Sequence, residues 1–183
     1  MSGLFTMSLM KIAMPKKTKM LQDLFHDTLK DVYFAEKKIL TTLPKMKKAV
    51  QSEGLVAAFE KHHSETEDQI QRLEQVFKII GEKPQAKTCD AILGIVDEGA
   101  EIMEEYKGSP ALDAGLLAAA QAVEHYEMSR YGTLIAWAEK LEIEKAVTLL
   151  SKTLEEEEAT DAALTELAES VVNAEAQEEA EVG

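Results

Sequence analysis

The chain has 183 residues, of which 45% are hydrophobic and only 5% aromatic, with 9 glycines and 4 prolines. This length allows one domain with a substantial core, and the richness in Ala, Leu, Glu and Lys favours an all-α protein over a β-sandwich or barrel. The net charge of −14 makes nucleic acids and anionic membrane surfaces poor general partners.

The two ends of the chain differ sharply in charge. Residues 1–20 carry four lysines and no acid, whereas residues 153–183 carry eleven acids and no lysine or arginine. The short apolar run near the start lacks a leading positive region, so we interpret 1–17 as a flexible N-terminal extension rather than a signal peptide. We expect a folded region over 18–172 and an acidic tail over 173–183.

Cysteine use and hydropathy indicate the compartment. The single cysteine, Cys89, excludes an internal disulfide and is typical of a reducing environment. No segment reaches the roughly 18 to 20 apolar residues that a membrane-spanning helix needs. We therefore expect a cytoplasmic protein with no membrane partner.

Hydrophobic periodicity and helix breakers predict four long helices and one short one. Pro44 lies inside the first helix and should kink it. The second helix should end at Gly81, with Pro84 beyond it, and Ser109 and Pro110 should begin the third long helix as N-cap and first residue. The predicted helices cover approximately 18–50, 55–80, 89–106, 109–141 and 143–172.

The position of the short helix predicts the topology. An up-down-up-down bundle needs only short loops, but the connection between the second and third long helices covers 81–109 and contains the short helix. Such a crossover leaves these two long helices parallel, which is the ferritin-like topology. We therefore predict a ferritin-like four-helix bundle with an additional short helix in the crossover; the alternative is a plain five-helix bundle.

Polar residues interrupt the inward face of every long helix. Spacing that alternates between three and four residues traces this face, and on each long helix it is apolar at both ends and polar in the middle. Within the acidic stretch TLEEEEATDAAL, Glu157 and Asp161 follow this spacing, whereas the other glutamates do not. The candidate inward-facing residues are Glu36, His62 with Glu65, Glu124 with Glu127, and Glu157 with Asp161.

Converging carboxylates in a bundle interior require positive charge. A lone buried carboxylate is costly, and several at one level repel one another unless a cation neutralises them. Oxygen-rich ligands with one imidazole suit iron, manganese or zinc, so these residues predict a metal site. The alternatives are a buried acid paired with Arg130 or a lysine, a surface acid beside Arg72 for Glu65, and a hydrogen bond to backbone or a tyrosine for Asp161. For His62 the alternative is a hydrogen-bonded interior histidine.

Four stretches resemble the YciE/YciF-like family of ferritin-like, stress-associated proteins. They are LQDLFHDTLKDVYFAEKKILTTLPKM, FEKHHSETEDQIQRLEQVF, AAAQAVEHYEMSRYGTLIAWAE and LEEEEATDAALTELA. The resemblance implies a compact helical bundle, usually a homodimer, with a dimetal centre of two divalent ions. The metal could be iron, manganese or zinc.

The resemblance also implies a role for each candidate residue. Ferritin-like bundles place His three residues after Glu on two helices, but here Asp68 follows Glu65 and Thr160 follows Glu157 at that spacing. The site would therefore be richer in oxygen than an ordinary di-iron centre. The implied metal ligands are Glu36 on the first long helix, Glu65 with His62 on the second, Glu124 and Glu127 on the third, and Glu157 and Asp161 on the last.

Two functions fit these predictions. The first is a stress-associated metalloprotein in which the dimetal centre has redox, peroxide-related or metal-handling activity, and thus a candidate oxidoreductase. The second is a non-enzymatic stress-response dimer with a structural or vestigial metal site, which could recruit an unknown protein partner. The sequence assigns no catalytic residue.

Overall fold

The computed structural model describes residues 18–177, which form helices and contain no strand within that range. The all-α prediction is confirmed. The predicted extension over 1–17 and the last part of the predicted tail, 178–183, lie outside the described residues. The helices are α1 (Leu21–Ala49), α2 (Glu53–Ile79), α3 (Asp90–Glu105), α4 (Leu112–Lys140), α5 (Glu144–Leu167), which continues through a π-helical turn (Ala168–Val172), and α6 (Asn173–Glu175).

The end of α2 has the chemistry that the sequence predicted. Gly81 has a φ of 75°, which glycine adopts without steric cost. Its N–H donates to the Lys78 carbonyl at 3.2 Å, and the Glu82 N–H donates to the Phe77 carbonyl at 2.9 Å. These two bonds satisfy carbonyls that the end of the helix would otherwise leave unpaired.

The expectations for the start of α4 and for Pro44 have different outcomes. The prediction that Ser109 caps α4 and that Pro110 is its first residue is wrong, because the helix begins at Leu112 after Ala111. The Ser109 hydroxyl instead accepts from the Ala111 N–H at 3.1 Å, so it stabilises the turn that precedes the helix. Helix α1 continues through Pro44 to Ala49, and a kink at this proline stays a prediction.

The four long helices α1, α2, α5 and α4 contact one another in that cyclic order, and α3 packs against α4 and α1. Lys47 bonds Glu60 near one end of the α1–α2 pair, and Tyr33 bonds Glu74 near the other, so these helices are antiparallel. Bonds between the helices show that the α2–α5, α4–α5 and α1–α4 pairs are also antiparallel. Helices α2 and α4 are therefore parallel, as the crossover predicted.

The interior consists of two apolar clusters separated along every long helix by polar residues. On α1 the boundary falls between Tyr33, in one cluster, and Ala35, in the other, which places Glu36 beside it. The corresponding polar stretches lie near the middle of α2, α4 and α5. The first cluster includes Ile39, Phe59, Ile92, Leu116 and Leu164, and the second includes Phe25, Leu29, Phe77, Leu134 and Leu150.

Within residues 18–177, none of the helices combines the length and the apolar character that crossing a bilayer requires. The apolar surface of each long helix is instead directed into the two clusters, which these helices share.

Candidate metal centre

Four predicted site residues meet between the two apolar clusters. We call His62, Glu124, Glu127 and Glu157 the four-residue group; each offers one ligand atom, and these atoms all lie within 4.8 Å of one another. All four side chains are buried. Atoms on opposite sides of an ion with bonds of about 2.0 to 2.2 Å are about 4.0 to 4.4 Å apart, so the group has the size of a metal site.

The distances within the group leave donor and acceptor atoms unused. His62 Nδ1 is 2.9 Å from Glu124 Oε1, but the alignment is not that of a hydrogen bond. His62 Nε2 is 3.8 Å from Glu127 Oε2 and from Glu157 Oε2. Both oxygens of Glu124 and of Glu127, Glu157 Oε2 and His62 Nε2 have no hydrogen-bond partner. Buried polar atoms are nearly always paired, so this many spare ones in one place indicate a ligand site.

Glu36 adds a fifth buried side chain beside the group. It is fully buried in α1, and the Tyr131 hydroxyl of α4 donates to its Oε1. Its Oε2 has no partner. When protonated, Glu36 is close enough to share a proton with Glu127, as Glu124 is with Glu157. The site therefore contains two facing pairs of carboxyl groups.

The electrostatics show how unfavourable these carboxylates are without added positive charge. Burial, and then the charge of Glu157, raises the pKa of Glu36 to about 8. Burial raises the pKa of Glu124 to about 8, and burial together with Glu124 raises that of Glu157 to about 9. Burial and the neighbouring glutamates also hold the pKa of Glu127 well above its usual range. The interior thus favours their neutral forms, unless a cation compensates.

The nearby arginines do not supply that cation. Among the described residues, no lysine or arginine lies within 4.0 Å of the carboxylates of Glu36 or the four-residue group. Arg130 is positioned over the Tyr126 ring, 5.3 Å from its centroid, and Arg72 binds Glu156 with two bonds of 2.6 and 2.7 Å. The alternative in which these arginines neutralise the buried acids is therefore not what the structure shows.

A second set of side chains holds the acids in place. The Gln69 amide of α2 donates to Glu157 Oε1, while Arg72 also donates to the Thr153 hydroxyl at 2.9 Å. Tyr131 holds Glu36 from α4 in the same way. Such partners of metal ligands fix orientation and tune basicity.

Two predicted ligands lie outside the four-residue group. Glu65 retains 22% of its side-chain exposure and pairs with Lys61 at 2.8 Å. Asp161 accepts from Gln121 at 3.2 Å and is 3.2 Å from His125 Nε2. Both are near enough for their charges to raise the pKa of Glu124, but they do not converge with it. Their ligation stays a prediction.

The four consecutive glutamates of α5, residues 155–158, differ in their environments. Glu155 and Glu158 are exposed, Glu156 is half-buried against Arg72, and Glu157 is buried in the site. The helical spacing of Glu157 with Leu150 and Leu164 is what distinguishes it from its neighbours.

Sequence reasoning did not assign the roles of Tyr131 and Gln69. Gln69 has a detectable signal, because it lies two helical turns after His62 on the same face of α2. Tyr131 lies four residues after Glu127, on the side of α4 that faces α1. No pattern in the sequence shows that its hydroxyl reaches Glu36, because that contact joins residues 95 positions apart.

Comparison with known proteins shows the family to which the chain belongs. A family model described as a domain of unknown function, DUF892, matches residues 20–177. The chain belongs to the DUF892 family. The Escherichia coli (strain K12) protein YciF is 43% identical over 163 residues, which are 88% of this chain and 98% of YciF. The resemblance to YciE/YciF-like proteins is thereby confirmed.

Solved structures support the DUF892 assignment. The crystal structure of the E. coli stress protein YciF has a TM-score of 0.81 at 43% identity, covering 85% of this chain and 99% of that one. YcfI from Rhodopseudomonas palustris, for which a structural role has been suggested, has a TM-score of 0.79 at 44% identity, covering 80% and 94%. A protein from Xanthomonas campestris, at 20% identity and a TM-score of 0.63 over 85% and 94%, shares the fold.

Proposed function

We propose that this protein is a ferritin-like, stress-associated metalloprotein in which Glu36 and the four-residue group hold a dimetal centre. The observation that carries the proposal is the convergence of buried ligand atoms from α2, α4 and α5, with buried Glu36 of α1 beside them, in an apolar interior. The stability of the fold alone does not explain four buried glutamates that each have at least one carboxylate oxygen without a hydrogen-bond partner. The stress association follows from the similarity to YciF, which is described as a stress protein.

Charge supports two divalent ions rather than one. The four buried glutamates, Glu36, Glu124, Glu127 and Glu157, carry four negative charges when ionised, and two divalent ions would neutralise them. The facing pairs Glu36 with Glu127 and Glu124 with Glu157 are also suited to bridging neighbouring ions, as paired carboxylates do in ferritin-like bundles. His62 would supply the one nitrogen ligand.

The donor set indicates the class of metal and of chemistry. Carboxylate oxygens with one imidazole suit iron, manganese or zinc. Iron or manganese would supply electron transfer to oxygen or peroxide, whereas zinc would supply positive charge without redox chemistry. The protein's own contribution is to hold the ligands: Tyr131 orients Glu36, Gln69 orients Glu157, and the two apolar clusters keep bulk water away.

A non-enzymatic role is the second candidate function. It is favoured by the structural role suggested for YcfI, which is 44% identical to this chain. In that case the metal ions would join the four long helices and stabilise the bundle, because metal binding to the folded state alone adds to folding free energy. Metal content would then change stability without oxidation chemistry.

We extend the proposal to assembly and compartment. The resemblance implies a homodimer, and the cysteine content and hydropathy are typical of a cytoplasmic protein. Neither nucleic acid nor a membrane is part of the proposal, given the net charge of −14. Light scattering on the purified chain measures the assembly state directly.

Metal stoichiometry tests the proposed centre. Metal-depleted full-length protein would be titrated anaerobically with ferrous iron, manganese and zinc, and we expect about two ions per chain. The double variant Glu124→Gln/Glu157→Gln should lose them, whereas Glu155→Gln/Glu158→Gln, which changes exposed acids of the same helix, should not. A wild-type chain that binds no ion, with an unchanged melting temperature, would refute the centre.

Spectroscopy separates the two functions. If the redox role is correct, ultraviolet-visible absorbance should change when oxygen or peroxide is added to the ferrous-loaded protein. If the role is structural, loading should raise the melting temperature while the absorbance stays constant after oxidant is added. A constant absorbance would therefore reject the redox role and leave the metal site in place.

A further inference from the structure

An apolar cavity lies beside the four-residue group, between α1, α3 and α4. Its volume is about 20 Å³, which is room for one small molecule. Helix α3 forms the outer wall, and aliphatic side chains from all three helices form most of the lining. They include Ile39, Met46, Ile95, Met103, Ala119 and Val123.

The inner end of this cavity is chemically different from its walls. His62 and Glu124, which belong to the four-residue group, are the titratable side chains that line it. His62 is 2% exposed and Glu124 fully buried, and both have side-chain atoms without a hydrogen-bond partner. The cavity therefore brings an apolar space up to two of the residues that would ligate metal.

Small residues keep the space between α3 and α4 open. Gly99 of α3 and Ala119 of α4 line the cavity, and a Cβ placed on Gly99 would be 3.6 Å from the Ala119 Cβ, an ordinary contact. A larger side chain at either position could thus occupy part of the cavity without first meeting backbone. These two residues provide a way to close it.

The opposite approach to the site is polar. Glu65, paired with Lys61, and Asp161, beside Gln121 and His125, lie half-buried on the faces formed with α5. Charged or strongly hydrogen-bonding species keep their polar interactions there, whereas entering the aliphatic cavity would cost them those interactions. An uncharged apolar molecule has the reverse preference.

We propose that the cavity between α1, α3 and α4 admits and holds a small apolar molecule of the size and polarity of dioxygen next to His62 and Glu124. The inference deepens the proposed function and rests on it, because it assigns dioxygen rather than a charged or strongly polar oxidant as the molecule that this route serves. The narrow aliphatic lining and its polar inner end, with no further charged side chain on the lining, carry the assignment.

Xenon provides a probe that does not depend on metal or turnover, since apolar cavities in proteins bind it. Full-length, metal-depleted protein labelled with ¹³C at methionine methyl groups would be placed under xenon pressure and examined by NMR. Met46 and Met103 line the cavity, while Met20 is 65% exposed. We expect xenon-dependent shifts at Met46 and Met103 and none at Met20. Dissolved dioxygen, which is paramagnetic, should broaden Met46 and Met103 more than Met20.

Filling the cavity provides the matched comparison. Ala119→Phe should reduce the xenon shifts at least tenfold, whereas Ala118→Phe, at the neighbouring exposed position, should leave them unchanged. If Ala119→Phe does not fold, Gly99→Ala narrows the same wall with one methyl group and should reduce the shifts at least twofold. Absent shifts in the wild-type protein, or shifts that persist in the folded filled variants, would overturn the proposal.

The outcome is independent of the metal titration. If metal binds but xenon does not reach Met46 and Met103, the cavity proposal fails and the centre stands. If xenon binds but no metal does, the cavity exists and the proposed function fails. The two results therefore distinguish the inference from the function on which it rests.

Discussion

The four-residue group and the pair Glu65 and Asp161 contain the same kinds of side chain and were predicted together, yet the fold treats them differently. The four side chains of the group are buried, and each has at least one polar atom without a hydrogen-bond partner. Glu65 and Asp161 keep about a fifth of their exposure and have polar partners. A carboxylate therefore indicates a metal site when it is buried without a partner for its charge, and its position on a polar stripe is not enough by itself.

The largest effect that would sharpen this contrast is the pH dependence of the metal-free protein. Because burial raises the pKa values of Glu36, Glu124 and Glu157 from 4.5 to about 8 or 9, the folded state binds more protons than the unfolded state over that range. Its stability should be greatest below pH 4.5 as far as these groups are concerned, and should fall as pH rises towards 9. The expected total loss is on the order of 5 kcal/mol, since coupled groups give less than their sum.

Chemical denaturation of metal-depleted protein at pH 5, 7 and 9 measures this loss. The variant Glu124→Gln/Glu157→Gln is the control, and its stability should vary less with pH because two of the raised pKa values are gone. Stability that is constant or increases over this range in the wild-type protein would contradict the burial of these acids. Added metal should reduce the loss, since it competes with protons for the same oxygens.

The next largest effect is the loss of metal affinity after single substitutions inside and outside the four-residue group. Glu127→Gln should weaken metal binding by more than about 100-fold, beyond the range for changes outside the ligand set, whereas Glu65→Gln should weaken it by less than about tenfold. Glu127 lies within the four-residue group, while Glu65 already has Lys61 as its partner. Isothermal titration with manganese gives both affinities.

If Glu65→Gln lost more metal affinity than Glu127→Gln, Glu65 would have to leave Lys61 to bind metal. The four-residue group would then be the wrong set of ligands. The same glutamine variants give a second check without metal. Glu127→Gln should stabilise the metal-depleted protein at pH 8, because it removes a carboxylate that burial and neighbouring charges disfavour. Glu65→Gln should change that stability by less than about 1 kcal/mol, as expected for a partly exposed ion pair.

The smallest effect concerns the two tyrosines that bind glutamates. Tyr131 donates to buried Glu36 in the site, and Tyr33 donates to exposed Glu74 at 2.7 Å elsewhere in the bundle. Each Tyr→Phe change removes one hydrogen bond and should cost about 1 kcal/mol of unfolding free energy. Only Tyr131→Phe should also weaken metal binding, by about tenfold.

Thermal unfolding and metal titration of the two variants separate stability from positioning. Equal losses of metal affinity in Tyr131→Phe and Tyr33→Phe would indicate that Tyr131 acts only through general stability. An unchanged affinity in both would remove Tyr131 from the set of residues that orient the ligands. Both tyrosines are buried, so the comparison is matched at the tyrosine, although Glu36 is buried and Glu74 is exposed.

The sequence by itself determined the helices, the crossover and the level of the site. Helix-forming composition, the Gly81 signal and period-3.6 patterning depend on neighbours within a few residues, so they can be read without the fold. The same patterning separated Glu157 from the glutamates beside it. Ser109 shows where local signals fail, because several residues near a helix start can accept the same N–H groups.

Only the tertiary structure decided which of the seven candidate side chains meet. Glu65 and Asp161 sit within about one turn of His62 and Glu157, and offsets of roughly 60° and 40° around their helices are enough to give them water, Lys61 or Gln121 instead of the interior. The contacts of Tyr131 with Glu36 and of Gln69 with Glu157 join residues 95 and 88 positions apart. Such contacts depend on helix packing and side-chain direction, which no local pattern encodes.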